Sequence, residues 1–164
     1  MKFLSSIINK FIDKISILLT SILLIMVTIL FVIILGRFFF AWGSVALQEF
    51  VMYLHSIVFM LGICYVCKDR SHVSIDIFSR NYSACKKIKI NLLFDTIFLA
   101  PFSIFIIYIS FDMVLASWKI LEGSGEAGGL NYVYLLKTLI PLSGLFMLLS
   151  CISNILDNFV RLKS

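Results

Sequence analysis

ISILLTSILLIMVTILFVIILG, residues 15–36, runs for 22 residues without a charge. At 1.5 Å per residue a helix of that length covers about 33 Å, enough to cross the hydrocarbon of a bilayer. Its apolar residues lie on every side and do not alternate, which excludes the strands of an outer-membrane barrel. The run is too long for a signal-peptide core and ends Leu35-Gly36-Arg37-Phe38 without a small-residue cleavage site. It reads as an uncleaved signal anchor. Working outward, three further stretches are long and apolar enough to span. Residues 45–67 hold one acid, Glu49, near the start. Residues 90–115 hold Asp95 near one end and Asp112 near the other. Residues 138–156 hold no charge. The expectation is an all-α integral membrane protein, residues 1–164 forming one domain of four transmembrane helices at about 15–36, 45–67, 90–115 and 138–156.

Composition agrees. Of 164 residues, 61% are hydrophobic and 14% charged, with a mean hydropathy of +1.06. Soluble domains carry about 25% charged residues. Too few charges remain to cover a globular surface, so a soluble enzyme, a disordered tail and a disulfide-stapled miniprotein are excluded. The net charge of +5 is scattered through short gaps between apolar runs, unlike the clustered face of a nucleic-acid binder. The four cysteines, at 64, 67, 85 and 151, avoid the segments placed on the outer side, which argues against a disulfide framework.

The basic residues set the expected orientation. Lys2, Lys10, Lys14, Lys68, Arg70, Arg80, Lys86, Lys87, Lys89, Arg161 and Lys163 fall on one side; Arg37, Lys119 and Lys137 fall on the other. Both termini and the central loop are therefore predicted to be cytoplasmic, an N-in, C-in arrangement. Trp42, Trp118, Tyr132 and Tyr134 gather at the opposite interface, as an aromatic belt would.

Two loops carry more. In residues 71–82, Ile77, Phe78 and Tyr82 stand beside Asp76, Arg80 and Asn81. A short helix in the interface plane and an ordinary polar connector both fit. The outer loop, residues 122–129, reads EGSGEAGG and holds half of the chain's eight glycines. On composition it is a plain flexible connector.

Chemistry is sparse. Cys64-Tyr65-Val66-Cys67 is a C-x-x-C, yet it sits at the cytoplasmic end of its span with no outer cysteine to relay to. Buried cysteine also behaves as a small hydrophobe. Zinc requires four ligands, and one intramembrane histidine, His55, does not supply the two axial ligands of a bundle haem. The plain reading of His55 is an interhelical hydrogen bond. No cofactor or metal is expected. Glu49, Asp95 and Asp112 all lie near an interface, where charge is cheaper than at the midplane. Structural pairing suits them better than an ion pathway, and an ion pair of Glu49 with Arg37, or with a partner subunit, would offset its burial. Pro101 and Pro141 do not form the matched broken helices of a transporter core, and no G-x-x-x-G packing motif falls within a span. An accessory subunit fits better than a self-contained machine.

At this point the residues resemble a known family. Arg37 closes the first span, Trp42 and Gln48-Glu49 open the second, and Leu61-Gly62 stand near its end. Lys68-Asp69-Arg70-Ser71-His72-Val73-Ser74-Ile75-Asp76 follow. Arg37, Trp42, Glu49, Gly62, His72 and Asp76 match the pattern of the small, DctQ-like membrane subunit of tripartite ATP-independent periplasmic (TRAP) transporters. Gly128-Gly129-Leu130 through Lys137, Ile140 and Pro141 resemble the family's entry to the fourth helix. The similarity runs from about Leu35 to Leu156. His55 departs from it, standing where an aromatic or aliphatic residue is expected.

The resemblance implies a role. Such transporters import organic acids, driven by a sodium gradient, across the bacterial inner membrane. A periplasmic binding protein captures the substrate, and a large elevator-type membrane subunit carries it. The small subunit braces the large one within the lipid bilayer. On this footing Glu49 and Arg37 would fix the first two helices, and Asp76 would cap a helix start after His72. Glu122 and Glu126 on the glycine-rich loop would touch the binding protein. The competing readings are a small homo-oligomeric transporter or channel, and a membrane redox or haem subunit.

Overall fold

The computed structural model describes residues 2–69 and 84–163. His72, Asp76 and the segment 71–82, read as interfacial helix or connector, lie outside the described residues. The rest folds as α1 (Lys2–Phe40), α2 (Val45–Asp69), α3 (Ala84–Phe94), a π-helical turn (Asp95–Leu99), α4 (Ala100–Lys119) and α5 (Val133–Lys163), with no strand among the described residues. α3, the π turn and α4 follow without a break and make one rod. Four helices are long and apolar enough to cross a membrane: Ser5–Phe40, Val45–Cys67, Lys86–Lys119 and Val133–Val160. Three of them outrun their apolar core, because nothing stops a helix where the hydrocarbon stops. Lys10, Asp13 and Lys14 are tolerated in a helix, and no proline or glycine precedes Ile15.

α5 is the hub. It packs against α1, α2 and the α3–α4 rod, while α1 and α2 also pack on each other. Its inward face explains this, because it is made mostly of small or polar residues: Ser143, Gly144, Ser150, Cys151, Ser153 and Asn154 are buried, with Met147 among them. α4 answers with Ser103, Ser110 and Ser117, seven residues apart and each at most 3% exposed. The hydroxyls of Ser103 and Ser110 donate within their own helix, to the carbonyls of Leu99 (2.7 Å) and Ile106 (2.6 Å). A serine so satisfied is small and presents no unmet polar demand, so a second helix can approach closely in lipid.

The large apolar side chains point outward. Phe102, Phe105, Tyr108 and Ile109 of α4 are all more than half exposed. The accessible surface is 11007 Å², against about 8,300 Å² for a soluble monomer of this mass. The excess is apolar helix face, which lipid or a protein partner must cover.

Pro101 follows the π turn by two residues. It lacks an N–H, so the regular ladder fails there. The widened turn absorbs the fault: the N–H of Ala100 reaches back to Asp95 O, a five-residue step. The thiol of Cys151 donates to the same carbonyl at 3.1 Å, joining the turn to α5. At the end of the bundle that holds the termini, Asp157 accepts from Ser5 Oγ and from Asn9 Nδ2 (3.5 Å). Ser153 Oγ donates to Asn9 Oδ1 at 3.0 Å, and Asn154 Nδ2 donates to Cys67 O at 2.8 Å. These bonds tie α1 and α2 to α5. Cys67 is a buried thiol in that packing.

Candidate functional site

The opposite end of the bundle carries the short link 41–44 and the longer loop 120–132. The loop starts at an unusual helix end. Leu121 takes φ 46, the left-handed conformation that normally falls to glycine after a helix. The N–H groups of Leu121 and Glu122 donate back to Trp118 O (3.3 Å) and Ser117 O (3.1 Å), the paired bonds of a Schellman motif. This turn folds Glu122 back over the end of α4. Its carboxylate accepts from Ser117 Oγ at 2.6 Å and forms an ion pair with Lys137 of α5. The end of α4 and the start of α5 are thereby joined through one side chain.

The next residues close on themselves. Ser124 N–H donates to Leu130 O at 3.0 Å, and Gly129 N–H donates to Glu126 O at 3.0 Å. Gly128 at φ 79 makes the reversal. Glu49, one turn into α2, enters this closed loop. One carboxylate oxygen accepts from Ser124 Oγ, and the other accepts from the N–H of Leu130 at 2.6 Å. Gly129 makes the approach possible, since a Cβ there would stand 2.7 Å from the Glu49 carboxylate and collide with Ser124.

Glu49 is thus a clamp, positioned because Ser44 starts α2 one turn earlier; Ser44 Oγ accepts from Leu47 N–H at 3.4 Å. Tryptophans frame the site. Trp42 lies over Gly36, where a Cβ would meet its ring at 2.9 Å. Trp118 donates to Thr138 Oγ1 at 2.9 Å and packs edge-on against Tyr134, 4.8 Å between centroids.

Three sequence expectations are corrected. The glycine-rich segment is a hydrogen-bonded loop and not a plain flexible connector; its glycines permit close approach and reversal. The carboxylate of Glu49 is engaged by that loop and not by Arg37, which is exposed at the end of α1. Glu122 is held by Ser117 and Lys137, with its side chain still partly exposed. Among the described residues His55 makes no hydrogen bond to another helix of this chain; it is exposed and stacks on Phe59 of its own helix at 6.3 Å. Glu126 remains exposed at the loop tip, with its N–H donating to Ser124 Oγ at 3.1 Å. A Cβ at Gly62 would stand 4.0 Å from Leu19 Cδ1 of α1.

The sequence reading missed Ser117, Ser124 and Lys137. One signal was available: a serine five residues before Glu122, at the end of an apolar run, with a lysine early in the next. Among the described residues no three His, Cys, Asp or Glu side chains converge as metal ligands.

The Glu122 cluster makes a pH prediction. Hydrogen bonds from Lys137 and then Ser117 hold the Glu122 carboxyl below its ordinary value of 4.5, against an opposing effect of burial. A carboxylate with a depressed value contributes stability that is complete above the unfolded value and is lost as pH falls through the folded one. Fluorescence of Trp118, read in a Trp42→Phe background, is therefore expected to stay flat from neutral pH to about 5 and to change below 4.5. Glu122→Gln should abolish that transition; an identical transition in the variant would refute the assignment.

The fold and site define a class: a multi-pass helical membrane protein with an ordered extramembrane loop clamped to its second span. The model of one family, described as tripartite ATP-independent periplasmic transporters, DctQ component, matches residues 26–161. The match takes in the second half of the first span, the other three spans, the Glu49 clamp and the glycine-rich loop. The chain belongs to the DctQ family of TRAP transporter components. No curated protein and no solved structure matched it.

Proposed function

We propose that this chain is the small permease subunit of a sodium-driven TRAP importer of organic acids. It lies in the bacterial inner membrane as a single four-helix domain, residues 1–164, with both termini cytoplasmic. It braces the large elevator-type membrane subunit and helps dock the periplasmic substrate-binding protein. The family match over residues 26–161 carries the reading.

The geometry supports it physically. An elevator needs a partner that does not move, and here α5 is knitted to α1 and α2 at one end and to α4 at the other. Glu49 beside the loop and Glu122 at its start are used to hold the chain's own shape. With N-in, C-in orientation the clamped loop faces the periplasm. Glu126, Ala127 and Gly128 at its tip then offer a fixed surface to the binding protein, with Gly129 keeping the tip close to Glu49. Arg37 and Trp42, exposed beside it, belong to the edge offered to the large subunit.

The test is a mild-detergent pull-down of the tagged chain from its native membrane. Recovery of one large polytopic membrane protein in equal amount is the expected result. Recovery of the chain alone, as a defined oligomer, would overturn the reading in favour of a self-contained transporter or channel.

A further inference from the structure

His55 is the eleventh of the 23 residues in the span Val45–Cys67. At 1.5 Å per residue it stands about 15 Å from either end of that span, the depth of the bilayer centre. An imidazole side chain is too short to reach the interface from there. Among the described residues its ring contact is with Phe59, which offers no hydrogen-bonding atom, and His55 faces outward. Left against lipid, a ring N–H and a ring nitrogen would both go unmet, which is costly in hydrocarbon. Ionisable residues within spans face protein or water-filled space.

The surroundings mark a face. Gln48, Met52, His55 and Phe59 are all exposed and recur at steps of four, three and four, so they form one stripe of α2. The stripe combines two hydrogen-bonding side chains with a flexible methionine and an aromatic ring, and Met52 and Phe59 are 48% and 67% exposed. A face of this kind suits a protein helix better than acyl chains.

We infer that this stripe of α2 is the seat for a transmembrane helix of the large membrane subunit, which presents a hydrogen-bonding side chain to His55 at mid-bilayer depth. The inference rests on the small-subunit reading, since the family is that of one component in a multi-component transporter. A second copy of this chain is the competing occupant.

The test uses the complex purified from native membrane. Benzoylphenylalanine is introduced at Met52 or at Phe59, and photocrosslinked products are identified by mass spectrometry. Crosslinks to the large subunit are expected from both positions. In parallel, His55→Leu should lower recovery of the large subunit about three- to thirtyfold, the range for a hydrogen bond between membrane helices. His55→Gln, which keeps a donor and an acceptor, should recover most of it. Crosslinks to lipid or to a second copy, while the unmodified chain still recovers the large subunit, would overturn the inference and leave the small-subunit reading standing. Equal recovery for His55→Leu and the unmodified chain would also overturn it. Failure of the unmodified chain to recover any large subunit would overturn both.

Discussion

Glu49→Ala is expected to free the loop 120–132 while leaving the four helices assembled. The two carboxylate oxygens meet two different donors, Ser124 Oγ and the N–H of Leu130. Those donors bracket the glycine-rich turn, so one side chain closes both ends of the loop onto α2. Alanine removes both acceptors and supplies no replacement. Hydrogen bonds to charged groups exceed neutral ones in strength, so the amide of Leu130 should exchange with solvent roughly tenfold faster or more. Backbone amides within α2 and α5 should be unaffected, because the helices are joined separately through Glu122, Lys137 and the serine-lined contact of α4 with α5.

Glu49→Gln sharpens the result. Its one remaining oxygen can serve Leu130 or Ser124, and its NH₂ group confronts the other donor. Exchange at Leu130 should fall between the parent and the alanine variant. Hydrogen–deuterium exchange of the purified protein, resolved to the peptide holding Leu130, is the measurement. Parent-like exchange at Leu130 in Glu49→Ala would refute the clamp. If the loop surface docks the binding protein, transport by Glu49→Ala should drop most when the binding protein is limiting.

The helices were legible because membrane solvent leaves so simple a pattern. A run such as residues 15–36 has one stable conformation in lipid, since only a helix satisfies its backbone. The contacts among the helices were harder to read. In lipid the apolar residues carry no inward signal, and Phe105 or Ile109 look in sequence like a soluble core while facing out. The useful signal was Ser103, Ser110 and Ser117 at heptad spacing, hidden because serine is the polar residue most easily taken for a surface one. A search for G-x-x-x-G does not detect it. In sequence Glu49 reads as a residue needing a partner, and Arg37 is the nearest candidate. The true partners are 75 and 81 residues away. Only the return of α5 to the side of α2 brings them to it, and nothing in local spacing encodes that. Leu121 hid its turn for another reason: a β-like or helical residue gives no warning of a positive φ, where a glycine would have.

The largest effect on packing is expected at Gly144. A Cβ at that position would meet Ile107 Cγ1 at 2.9 Å, the carbonyl oxygen of Ser103 at 3.1 Å and Ile106 Cγ2 at 3.2 Å. Ile107 and Ile106 can turn aside, whereas the Ser103 carbonyl is helix backbone and moves only with α4. Gly144→Ala therefore forces the two helices apart by a few tenths of an ångström, at a cost of about 1–3 kcal/mol for overpacking of this kind. Gly144→Leu asks for a whole side chain in the same space. Because α4 packs chiefly on α5, it has little else to hold it when that contact opens. The Trp118–Thr138 hydrogen bond and the Glu122–Lys137 ion pair lie on the same helix pair and should loosen with it. Thermal unfolding in mild detergent should fall in the order parent, Gly144→Ala, Gly144→Leu, with the leucine variant losing the edge-on Trp118–Tyr134 contact as seen in near-ultraviolet dichroism. A leucine variant as heat-stable as the parent would mean that α4 and α5 do not meet at Gly144 in the membrane. The serine stripe of α4 would then face something outside this chain, and the α4–α5 contact would cease to be the frame on which the loop is hung.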